Sequence, residues 1–161
     1  MANTTVQNNT AVPFIDMDKK QFINVLLTGL IVGVVTWVLR VVLEKYVFGP
    51  IMCNEEVAGS CRQAVSYTNV SATILGAAAG LVILVRLRVY RPLLVALAAC
   101  IALFGLYTVT DTMMWALGLV LFAVLHGITY GLFTWLTRIR LFVICLIAII
   151  VAVVLIRLAL N

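Results

Sequence analysis

The chain has 161 residues, of which 65% are apolar and 11% charged, and its formal net charge at pH 7 is +5. Soluble domains are about half apolar and about a quarter charged, so this chain cannot bury its apolar side chains in a core of its own. The composition excludes a soluble globular domain, a disordered chain and a small secreted disulfide scaffold, and it predicts a polytopic membrane protein.

Five apolar stretches are long enough to cross a bilayer, because a helix needs about 20 residues to span a hydrocarbon core of about 30 Å. We expect these spans at 22–43, 66–85, 93–110, 113–137 and 141–160. The alternating strands of a membrane barrel are absent, so the predicted fold class is an all-α bundle of five transmembrane helices. Residues 1–17 are expected to form a disordered or interfacial cytoplasmic tail, and residues 18–161 a single transmembrane domain. Four spans are the alternative, if one stretch lies flat or re-enters.

Lysine and arginine residues near the span ends predict the orientation, because they translocate least readily. With five spans, one side receives Lys19, Lys20, Arg86, Arg88, Arg91, Arg138 and Arg140, and the other receives Arg40, Lys45, Arg62 and Arg157. This bias places the N-terminus in the cytoplasm and the C-terminus outside, in a plasma (bacterial inner) membrane. A nucleic-acid partner is not expected, since the basic residues lie in short turns beside apolar spans, where topology and anionic headgroups place them.

The predicted outer loop, residues 44–65, contains Cys53 and Cys61. Outside a membrane, thiols this close in sequence oxidise, so we predict a disulfide that closes the loop. A redox-active pair is the alternative, although membrane thiol oxidoreductases of similar size and span number carry Cys-x-x-Cys motifs, which this sequence lacks. The adjacent acids Glu55 and Glu56 raise the possibility of a weak cation site, but a solvated acidic loop is the better interpretation, and no metal is expected.

Glycine pairs four residues apart let membrane helices approach closely. Three of the five spans carry such a pair: Gly29 and Gly33, Gly76 and Gly80, and Gly127 and Gly131. Spans one, two and four are therefore expected to form the packed centre, and span five to face lipid or a partner subunit.

His126 is the only histidine and lies near the middle of span four, with Thr129 and Tyr130 on the same helical face. Ionisable groups at this depth are expensive, so His126 is a candidate intramembrane polar site. The simplest interpretation is a neutral imidazole that donates a hydrogen bond to a hydroxyl or a carbonyl on a neighbouring helix. A proton relay, a pore-lining group or a cofactor ligand are the alternatives.

Arg40 and Glu44 are spaced as a helical ion pair at the outer end of span one, and Asp111 in the turn between spans three and four is a further candidate partner. We interpret these residues as interface anchors, and a gating or substrate role is the alternative.

An enzyme is not expected, because no catalytic triad, metal-ligand spacing or glycine-rich phosphate loop is recognisable, and no cofactor is predicted. The first functional hypothesis is a small non-catalytic protein that acts through helix–helix contacts, as an accessory, assembly or scaffold subunit. The alternative is an oligomeric channel or transporter with a polar face around His126. The expected partners are the lipid bilayer and either further copies of the chain or a larger membrane complex.

Overall fold

The computed structural model describes residues 19–53, 60–110, 113–139 and 141–160. Within these ranges the chain is helical with short turns and contains no strand, so the predicted all-α class is confirmed. The helices are α1 (Lys19–Leu43), a π-helical turn (Glu44–Phe48), α2 (Gly49–Met52), α3 (Ser60–Arg86), α4 (Pro92–Leu103), α5 (Leu106–Thr110), α6 (Trp115–Leu136) and α7 (Phe142–Leu160).

Four helical segments of this part of the chain are long and apolar enough to cross a membrane, namely Lys19–Met52, Cys61–Arg86, Trp115–Leu136 and Phe142–Ala159. The protein is therefore a membrane-embedded helical bundle. The fifth apolar element, α4, has 12 residues and is about 18 Å long at the usual rise, too short to span a bilayer alone.

The predicted third span, residues 93–110, is not one continuous helix, because it breaks between α4 and α5. Phe104 is extended, and Gly105 has a φ of +90°, which glycine adopts without a steric penalty. The break removes the intrahelical partner of the Phe104 carbonyl. Arg157 of α7 supplies a substitute, since its Nη1 donates to that carbonyl and its guanidinium carbon lies 5.7 Å from the centre of the Phe104 ring.

The predicted outer loop 44–65 is also shorter than expected, because helix continues on both sides of it. The chain widens into the π-helical turn immediately before Pro50, whose missing N–H disrupts the regular hydrogen-bond ladder. The carboxyl-terminal part of the loop already belongs to α3. The Cα atoms of Cys53 and Cys61 lie 4.5 Å apart with their sulfur atoms at disulfide distance.

α1 packs against α6 along its length and against α3 on another side. α4 lies among α3, α6 and α7. α7 is the most peripheral of the long helices, since it contacts mainly α4. Only 11% of an 18-residue apolar stretch of α7 is buried in the bundle, compared with 50% of such a stretch in α6. This packing places the middle of α6 inside the bundle.

Candidate functional site

The polar face of α6 points into the bundle. His126, Thr129 and Tyr130 are only 7%, 3% and 2% exposed. The glycine pair of α1 permits this arrangement, because a Cβ on Gly29 would lie 2.7 Å from the carbonyl oxygen of His126 and one on Gly33 would lie 3.0 Å from its Cβ. The close approach of α1 and α6 therefore encloses the histidine.

The glycine pair of α3 makes room for hydroxyl groups of the neighbouring helices. The hydroxyl of Thr36 in α1 occupies the space beside Gly76, and the hydroxyl of Tyr130 occupies the space beside Gly80. The glycine pair of α6 faces α1, with Gly127 close to Leu30 of that helix. All three pairs are thus used for contacts within one chain.

His126 satisfies one ring nitrogen within its own helix, whereas the sequence predicted a partner on a neighbouring helix. Its Nδ1 lies 2.9 Å from the carbonyl oxygen of Phe122, which can only accept, so Nδ1 carries the hydrogen and Nε2 of the neutral ring is a hydrogen-bond acceptor. The imidazole also stacks on the Phe122 ring, with 4.6 Å between the ring centres. This hydrogen bond and the ring stack together fix the orientation of the imidazole.

The stack continues from His126 to the far end of α1. The Phe122 ring lies 5.7 Å from that of Trp37, and the Arg40 guanidinium lies 5.4 Å from the Trp37 ring and 5.7 Å from the Tyr107 ring. Arg40 is 7% exposed, so its charge is held among aromatic faces as well as by its ion pair.

The predicted ion pair of Arg40 and Glu44 has a separation of 3.9 Å between Nε and Oε2, at the long end of the range for such pairs. Glu44 is more exposed than its partner. The third residue of this prediction, Asp111, lies outside the described residues. The pair extends this series of contacts towards the end of α1.

A small cavity lies at the centre of the bundle where α1, α3, α4 and α6 meet. Its polar lining consists of Thr36, Thr73, Cys100, His126 and Tyr130. Thr129 is buried but does not line it. The space open to the centre of a water molecule is about 20 Å³, and about 10–15 Å³ suffices for one water.

The chemistry of the cavity is that of a hydrogen-bonding site for a molecule the size of water. Thr36 and Thr73 donate their hydroxyl hydrogens to the carbonyls of Val32 and Asn69 at 2.8 and 2.7 Å, so their remaining lone pairs can accept. The Tyr130 hydroxyl can donate. Within the described ranges no three His, Cys, Asp or Glu side chains are grouped so that they could hold a metal ion.

Three lining residues, Thr36, Thr73 and Cys100, were not identified from the sequence. The spacing to a neighbouring glycine could have identified two of them, because Thr36 follows Gly33 by three residues and Thr73 precedes Gly76 by three. Residues three apart share a helical face, so both threonines had to lie at a close helix contact. Cys100 has no comparable signal in the apolar α4.

Comparisons with family models, with curated proteins and with solved structures found no match to this chain.

Proposed function

We propose that this protein is a non-catalytic membrane subunit that acts through helix–helix contacts, in an accessory, assembly or scaffold role. The observation that carries the proposal is the contrast between the interior and α7. The polar interior around His126 leaves space for about one water, whereas only 11% of an 18-residue stretch of α7 is buried by the rest of the chain.

The surface of α7 supports a contact role because the chain itself uses little of it. A narrow stripe that includes Cys145 and Ile149 is buried against the bundle, while Ile147, Ile150 and Val154 are at least half exposed. Helices associate in lipid by van der Waals packing, so a partner helix can replace lipid on this face without exposing polar groups.

Site-specific photocrosslinking tests the contact role. Benzoylphenylalanine is placed at Ile150 in α7, and at Ile31 in α1 as a control, since these side chains are 54% and 56% exposed. We expect an adduct of one defined mass from position 150 in native membranes and none from position 31. Lipid-only adducts at both positions would contradict the proposal.

An oligomeric channel or transporter is the second candidate, and the observation that favours it is the polar lining of the central cavity. The burial of His126 and Tyr130 within one chain argues against a pore shared between copies, because these side chains cannot reach a common axis. Ion or solute flux in liposomes decides between the candidates. A flux that collapses in His126→Ala would refute the contact role, and an absence of flux would refute the channel.

The proposed location is the plasma membrane, with the N-terminus in the cytoplasm and the C-terminus outside. The starts of α1, α4 and α7 lie at one end of the bundle, where Arg138 donates to Gln21 and Arg91 lies against Phe142. This basic end is expected to face the cytoplasm. Reporter fusions at the two termini test the orientation, and termini on the same side would contradict it.

A further inference from the structure

The turn between α3 and α4 holds an arginine in an unusual backbone conformation. Arg91 precedes Pro92 at the start of α4 and has φ and ψ of 52° and 58°, in the left-handed region that residues other than glycine rarely adopt. Arg88 in the same turn has a φ of 51°. The two arginines share a positive φ, but they differ in what their side chains contact.

The guanidinium of Arg91 lies between two aromatic rings. Its central carbon is 4.7 Å from the centre of the Tyr90 ring and 4.7 Å from that of the Phe142 ring, the first residue of α7. Both rings are about half exposed, and they hold the guanidinium plane at the end of the two helices. Among the described residues, Arg88 makes no such aromatic contact.

One nitrogen of this guanidinium lacks an acceptor. Nη1 of Arg91 is buried and has no hydrogen-bond partner among the described residues. The guanidinium is therefore not fully satisfied within the chain, while Arg91 as a whole stays partly exposed, so the arrangement suits an anionic ligand that accepts from the accessible part of the guanidinium. A planar guanidinium suits a phosphate group in particular, because it can donate two parallel hydrogen bonds to it.

The surroundings of Arg91 favour an anion. By sequence, the basic end of the bundle carries seven lysine and arginine residues and two acids, Asp16 and Asp18. The one acid within the described ranges, Glu44, lies at the other end of α1. The first turns of α4 and α7 also lie beside Arg91, and the free N–H groups at helix starts attract negative charge.

We propose that Arg91, held between Tyr90 and Phe142, binds the phosphate of an anionic phospholipid. The site lies at the first residues of two apolar helices, which is the depth of the headgroups, and the exposed rings can contact the upper acyl chains. This site is independent of the proposed contact role, since it uses the turns at the basic end and not the exposed face of α7.

Native mass spectrometry of the full chain in detergent tests the site by titration with phosphatidylglycerol and with phosphatidylcholine. The decisive pair of variants is Arg91→Gln and Arg88→Gln, which remove the same charge from the same turn at residues that share a positive φ. We expect Arg91→Gln to weaken retention of phosphatidylglycerol by about tenfold or more, as for a lost charge-assisted hydrogen bond. Arg88→Gln should change it by at most a few-fold, as for an exposed charge.

Equal losses in the two variants would overturn the proposal, because they would show a diffuse attraction to surface charge. Should Arg91→Gln fail to fold, Arg91→Lys and Arg88→Lys replace the first pair of variants. Lysine keeps the positive charge and removes only the planar guanidinium group. Retention of phosphatidylglycerol should then fall in Arg91→Lys and not in Arg88→Lys. A parallel titration with inorganic phosphate at constant ionic strength shows whether the site binds free phosphate or the phosphate of a lipid. Free phosphate that displaces the lipid at millimolar or lower concentration would overturn the lipid assignment, and an unaffected lipid would support it.

Discussion

Gly29 lies at the closest approach of α1 and α6, and its replacement by alanine tests whether this contact holds the site together. A Cβ at this position would lie 2.7 Å from the carbonyl oxygen of His126, 2.8 Å from Cα of Gly127 and 2.9 Å from Cβ of Tyr130. Two of these atoms are backbone atoms and cannot rotate away. The two helices must therefore separate, since van der Waals contacts between carbon atoms are usually about 3.5–4.0 Å long.

The separation needed is roughly 1 Å, and a gap of about 0.5–1 Å forfeits a quarter to a half of the dispersion energy of each contact along the interface. Overpacking of this kind costs about 1–3 kcal/mol. Alanine also recovers about 1 kcal/mol of helix propensity relative to glycine. A matched control removes this second contribution, because the same change at Gly131 gains the same propensity.

Gly131→Ala is that control, since its Cβ would meet only the ring of Phe22 at 3.4 Å. We expect Gly29→Ala to be less stable than Gly131→Ala by about 1–3 kcal/mol in the free energy of unfolding, measured by titrating the purified chain in mixed micelles with a denaturing detergent. Equal stability of the two variants would refute the close packing of α1 on α6.

The remaining predictions concern the disulfide, the helix break and a buried amide. Cys53→Ser should lower the free energy of unfolding by about 2–3 kcal/mol, and a reductant should lower that of the natural chain to the same level while leaving the variant unchanged. Arg157→Leu should destabilise the bundle by about 0.5–1.5 kcal/mol through loss of the exposed hydrogen bond to the Phe104 carbonyl, with faster amide exchange in α5, whereas Arg157→Lys should retain much of the stability. Asn69→Leu should stabilise the bundle by about 1–3 kcal/mol, because both polar atoms of this 4% exposed amide lack a hydrogen-bond partner among the described residues. An unfolding midpoint that moves in the opposite direction would contradict each of the three.

The long helices were predictable because their signal is local. An apolar stretch of about 20 residues has few alternatives in a bilayer, and Pro92 marks the start of α4 because proline fits the first turn of a helix. The break at Gly105 was not predictable, since glycine is frequent in membrane helices. It depends on Arg157, which is 53 residues away in sequence and satisfies the freed carbonyl.

The site around His126 was predictable only in part, because local sequence signals do not show which residues of other helices come together. The position of His126 in the middle of α6 follows from counting residues along an apolar stretch. Its neighbours in the cavity come from three other helices, and the contacts that bring in Thr36 and Cys100 are tertiary. The position of Arg91 between Tyr90 and Phe142 depends in addition on a left-handed backbone conformation. The sequence of residues 87–91 does not predict this conformation, because none of them is glycine.

Buried polarity in this bundle is largely satisfied within each helix, and this changes what an intramembrane polar residue indicates. Thr28, Thr36 and Thr68 each donate to the carbonyl four residues earlier, and the His126 ring does the same. Such side chains need neither a polar partner on another helix nor a water-filled path, so their number is not a measure of transport. Asn69 lacks this arrangement and bears the cost of burial. Two polar centres combine unused hydrogen-bonding capacity with space for a ligand, namely Nε2 of His126 with the groups around it in the cavity and the partly exposed guanidinium of Arg91 at the basic end.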